Sequence, residues 1–83
     1  MDQNPIILKQ MELDKAKKKL KSLQKKLDAA AQKLESDPES TLYLADYTIA
    51  KADVISQNIK ITIIEQEILN LKHQKIEKQL GEE

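Results

Sequence analysis

Apolar residues recur in alternating steps of three and four through the first half of the chain. Ile6, Lys9, Leu13, Ala16, Leu20, Leu23, Leu27, Ala30 and Leu34 form this ladder, and all but Lys9 are apolar. A stripe with this spacing stays on one face of an α-helix and packs along another helix. Asn4 is a good N-cap and Pro5 fits the first helical position. Helix 1 is therefore expected over about residues 5–35. The segment Ser36-Asp37-Pro38-Glu39-Ser40 breaks the pattern and makes a turn over 36–39, with Asp37 and Pro38 as its turn residues. Ser36 with Glu39 fits a capping box, and Asp37-Pro38 fits an N-cap followed by proline at N1. Helix 2 is expected over about residues 40–80, with Gly81 as a left-handed C-cap. A short turn makes the helices antiparallel neighbours.

The two helices are unequal. At 1.5 Å per residue, helix 2 is longer by on the order of 15 Å. Pro5 then lies opposite about Asn70, and the end of helix 2 overhangs with Leu71, Ile76 and Leu80. Helix 2 also carries two apolar stripes. One is Tyr47, Ala50, Val54, Gln57, Ile61, Ile64, Ile68 and Leu71; the other is Ala52, Ile55, Ile59 and Ile63, flanked by Leu69, Ile76 and Leu80. Successive residues rotate by ~100°, so these stripes lie well apart around the helix. Helix 1 covers only one. Leu13, Leu20, Leu23, Leu27 and Leu34 are expected to pack against Tyr47, Val54, Ile61, Ile64 and Ile68. The contact surface for a partner is expected at Ile55, Ile59, Ile63, Leu69, Leu71, Ile76 and Leu80. Burying an isoleucine is worth about 1.5–3 kcal/mol, so an isoleucine stripe left in water is a poor end state.

Polar residues within the stripes have their own readings. Gln57 interrupts the helix 2 seam near its middle and is the candidate for setting register. Lys9, one turn into helix 1, reads as an end effect, its ammonium snorkelling to water, with a role in setting register or oligomer state as the alternative. The lysines at 15, 17, 18, 19, 21, 25 and 26 form a dense basic stretch. They occupy the positions the ladder leaves free and do not converge on one face. They read as a solvated flank, with Asp14, Asp28, Glu65 and Glu67 as pairing partners. The alternative is an RNA-binding surface on a small dimeric hairpin. Ile6-Ile7-Leu8 with Met11 reads as a wide apolar face meeting the far part of helix 2, with a membrane-surface anchor as the alternative.

Composition narrows the function classes. Eighty-three residues make one domain at most, and a two-helix core this thin needs self-association or a partner. Formal net charge is zero, so no overall field draws the chain to nucleic acid or an anionic membrane. All basic residues except His73 are lysine, which disfavours bidentate phosphate recognition. There is no cysteine, and His73 stands alone between Lys72 and Lys75, so no metal or cofactor site is expected. No phosphate loop or nucleophile elbow is present, and enzyme activity is not expected. No apolar run reaches the ~20 residues of a membrane span, and the start lacks a signal-peptide layout; a cytoplasmic location is expected.

The segment 27–50 resembles the small helical-hairpin proteins of bacterial type III secretion systems. Leu27, Ala30 and Lys33-Leu34 precede Asp37-Pro38, and Leu44-Ala45-Asp46-Tyr47 follow it at a distance similar to that in needle subunits. The co-chaperones that hold needle subunits in the cytoplasm are similar hairpins. Needle subunits end in an apolar tail, whereas Lys72 to Glu83 is polar and charged here. The resemblance therefore implies an accessory or chaperone-like member, exported only if needle-like. It carries over Pro38, Leu44 and Tyr47 as turn and packing positions. The expected function is non-enzymatic helix-to-helix binding, to a helical protein or to itself; a purely structural coiled coil is a further alternative.

Overall fold

The protein, a computed structural model, is an all-α antiparallel hairpin of two helices, α1 (Pro5–Ser36) and α2 (Thr41–Gly81). Its backbone is described for residues 4–81 and its side chains for residues 4–74. Ile76 and Leu80 lie outside the described side chains. The molecule is a rod, 67 × 22 × 13 Å.

Asn4 starts α1 as expected from its amide side chain. Its Oδ1 accepts the Ile6 N–H at 2.9 Å, and its carbonyl accepts the Leu8 N–H at 3.1 Å. Pro5 follows at N1, where the missing N–H has no intrahelical partner to lose. No glycine or proline interrupts the helix until Pro38. Proline disfavours helical backbone in the residue before it, and Asp37 stands at φ −146°, ψ 79°.

The turn differs from the expected capping. Ser36 forms no capping box with Glu39; its hydroxyl donates backwards to the Lys33 carbonyl at 2.6 Å. Asp37 is the C-cap of α1, its N–H bonded to the same carbonyl at 3.2 Å. Asp37 to Ser40 form a β-turn closed by the Ser40 N–H on the Asp37 carbonyl at 3.1 Å, with Pro38 at its second position. Ser40 then caps α2, its Oγ accepting the Tyr43 N–H at 3.2 Å. Pro38 thus sits in the turn, not at a helix N1. At the far end Gly81 is itself helical, and none of the described residues has a positive φ, so the left-handed cap is not formed there.

The core lies along the α1–α2 seam, towards the open end. Ile61, Ile64 and Ile68 are the buried apolar residues among those described. Leu13, Leu20, Leu23, Leu27 and Leu34 of α1 and Tyr47 and Val54 of α2 are half-buried along the same seam. Tyr43, Ala30, Ala31 and Ala50 fill the end near the turn and are also half-buried. No residue of α1 is fully buried. One helix cannot enclose another, so this core is thin for a domain.

Candidate interaction surface

The α1 ladder fixes which side of α2 is covered and leaves its opposite side open. At ~100° per residue, Ile55, Ile59 and Ile63 fall opposite the seam through Gln57, Ile61, Ile64 and Ile68. Ile55 is 52% exposed, Ile59 56% and Ile63 53%. They line a shallow hollow with Asn58 and Thr62. Leu69 is also exposed, further along the same side.

The threonines of this face do not wet it as their hydroxyls would suggest. The Thr48 Oγ1 donates to the Leu44 carbonyl at 2.9 Å, and the Thr62 Oγ1 to the Asn58 carbonyl at 3.0 Å. Both hydroxyls are engaged by their own helix. From Ala45 to Asn70, Ala45, Thr48, Ala52, Ile55, Ile59, Thr62 and Gln66 present no charge along the middle of the outer face. The charged side chains of this stretch stand at its margins.

Leu71, expected on the overhang, is half-buried and lines a cleft with Pro5, Leu8 and Lys9 at the open end. Asn70 lines the same cleft, so Pro5 and Asn70 do meet at this height. The apolar start of α1 behaves differently from its expectation. Ile6 is half-buried, but Ile7, Leu8 and Met11 are 45–56% exposed, so most of this face does not meet α2. Ile7 and Met11 fall on the side of α1 away from the ladder. Leu42, Leu44 and Ile49 are further exposed apolar residues of α2 that the two-stripe reading omitted. Ile49 is 62% exposed, and it signals itself only when the outer face is read as wider than one stripe.

Polar groups mark the inner seam. Gln57 is 4% exposed, and its Nε2 donates to the Ala16 carbonyl at 3.0 Å. Lys9 is not a free end group. Its Nζ lies 2.6 Å from Glu67 Oε2 across the seam and 3.3 Å from Glu12 Oε2 along α1. The hydrogen bond to Glu67, and then that to Glu12, raise the Lys9 pKa above the ordinary lysine value. Glu67 was expected to serve the lysine-rich stretch; the helix register puts it beside Lys9 instead. Among the described residues both salt bridges belong to Lys9.

The lysine-rich stretch is exposed throughout. Lys15, Lys19 and Lys26 fall on one flank of α1, while Lys17, Lys18, Lys21 and Lys25 spread over the outer side and the other flank. No single basic face results. His73 is exposed. Among the described residues there is no cluster of three metal-ligating side chains, and no helix long and apolar enough to cross a membrane. The chain matches no protein-family model, and neither curated proteins nor solved structures show a match to it.

Proposed function

We propose that this hairpin is a non-enzymatic protein–protein interaction module that works by packing the outer face of α2 against another helix. The observation that carries the reading is the joint exposure of Ile55, Ile59 and Ile63 on one uncharged face. Covering each half-exposed isoleucine stabilises the assembly by about 1 kcal/mol or more. The hairpin's own thin core adds to the need for such cover. The helix-in-groove and helix-on-helix modes of recognition fit a face read in steps of three and four. The resemblance around Pro38 supports a cytoplasmic, chaperone-like or structural role in a bacterial type III secretion system.

The test compares the wild type with Ile59→Asp. A charge at the centre of the face abolishes association, while far-ultraviolet circular dichroism stays helical because Ile59 does not touch α1. Light scattering over a hundredfold concentration range reads self-association. Discrete small assemblies fit an adaptor or chaperone, and long polymers fit a needle-like subunit. Affinity capture from the producing cells, repeated with purified components, reads other helical partners. If Ile59→Asp leaves every association at unchanged affinity, the outer face is not the binding surface.

A further inference from the structure

The outer face of α2 is a second heptad seam as well as an apolar patch. Starting at Ala45 and ending at Leu69, it advances in alternating steps of three and four, with Ile55 and Ile59 at its middle. Every position on it is exposed. α2 therefore carries two seams, one occupied by α1 and one vacant. What distinguishes the vacant seam is the order of residues along its flanks.

We infer that the occupant is a second copy of this chain, docked α2 against α2 in antiparallel register about a two-fold axis near position 57. This rests on the helix-packing reading above and gives it a specific partner. In that register Ile55 meets Ile59 of the second copy, twice over by symmetry. The next layers bring the small Ala52 against Thr62, which lets the helices approach closely. One flank of the seam is formed by the residues that immediately precede Ala52, Ile59 and Gln66. These are Lys51, Asn58 and Glu65. The same antiparallel register brings Lys51 to Glu65 of the second copy, Glu65 to its Lys51, and Asn58 to its own equivalent. Opposite charges thus pair on both sides of the axis. The opposite flank brings Ile49 to Ile63, covering two isoleucines that the hairpin leaves 62% and 53% exposed.

A parallel pair does none of this. Lys51 would stand beside Ser56 and Glu65 beside Asn70, with no charge matched. The antiparallel pair spans about 24 residues, or ~36 Å of helix. It places each α1 on the outside of a four-helix layer. Lys51 is already held at this margin, its Nζ 6.0 Å from the Tyr47 ring centroid. An isologous contact of this kind closes on itself and stops at two chains.

Charge exchange on the full-length chain tests the register. Sedimentation equilibrium of the wild type is expected to give a dimer. Lys51→Glu alone, and Glu65→Lys alone, each turn two attractive pairs into two repulsive ones. Each is expected to weaken dimerisation roughly tenfold or more. The double variant K51E/E65K restores the wild-type affinity. Mixing the two single variants gives a heterodimer tighter than either homodimer, because their charges are then complementary. A wild type that stays monomeric at high concentration overturns the self-pairing but not the helix-packing reading, which Ile59→Asp tests against other helical partners. A dimer indifferent to both single charge variants overturns this register.

Discussion

The Gln57 side chain reaches across the hairpin to the main chain of Ala16, donating from Nε2 to its carbonyl at 3.0 Å. The acceptor carbonyl has a second lone pair for this bond beyond its own helical one. A side chain larger than alanine at position 16 would fill the space the amide needs. With the Lys9–Glu67 pair nearer the open end, this buried contact ties the height and rotation of α2 to α1. A shift of one residue turns α2 by ~100° and would carry Ile55, Ile59 and Ile63 away from the outer face. The inner hydrogen bond and the outer interaction surface are therefore two consequences of the same register.

That relationship predicts opposite outcomes for two substitutions. Ala16→Leu blocks the carbonyl and leaves a buried amide unpaired, which costs about 1–3 kcal/mol. Gln57→Leu leaves no orphan, because the Ala16 carbonyl keeps its helical bond. Its stability is expected to equal the wild type or to exceed it by about 1 kcal/mol. Specificity suffers instead: without the amide the seam admits more than one register. Urea unfolding reads the first effect and amide NMR spectra the second. A single sharp set of resonances for Gln57→Leu would show that the glutamine does not select the register.

The cap of α2 gives a second prediction. Ser40 accepts the Tyr43 N–H, whereas Ser36 only donates back to the Lys33 carbonyl. Ser40→Ala is expected to cost about 1 kcal/mol and Ser36→Ala much less. Thermal melts of the two variants decide it. Equal losses would place the start of α2 elsewhere in the turn.

How far the sequence discloses this structure depends on the kind of information each feature carries. The hairpin is legible because the ladder from Ile6 to Leu34 and the seam from Tyr47 to Leu71 are long and regular, each with a single polar position, Lys9 and Gln57. Their positions are half-buried or buried throughout. The cap is less legible, because Ser36, Asp37, Glu39 and Ser40 compete within five residues. The winner depends on the β-turn that Pro38 makes. Lys9 is read as an end group when taken alone, and its meeting with Glu67 follows only from the register of two helices. The breadth of the outer face is similarly hidden. Ala45, Thr48, Ala52 and Thr62 look weakly polar or neutral in sequence, and the threonine hydroxyls turn back to their own helix only in the folded chain.

Lys9 and Glu67 supply the remaining prediction, a dependence of stability on alkaline pH. The ammonium is held 2.6 Å from the carboxylate, so the folded chain retains the Lys9 proton more tightly than the unfolded chain does. A group with a raised folded pKa contributes its full stabilisation below its unfolded value, here the ordinary 10.5. The contribution disappears as pH rises through the higher folded value. Other lysines titrate over the same range, so wild type alone does not isolate the pair. Glu67→Gln removes the charge while keeping the shape, and the difference in Tm between it and the wild type reports the pair. That difference is expected to favour the wild type at about pH 8 and to vanish as pH rises through the raised folded value of Lys9. Both side chains are partly exposed, at 30% and 42%, so added salt should also narrow the gap. A gap unchanged by alkali would mean that Glu67 stabilises the open end by packing, with Lys9 contributing no charge.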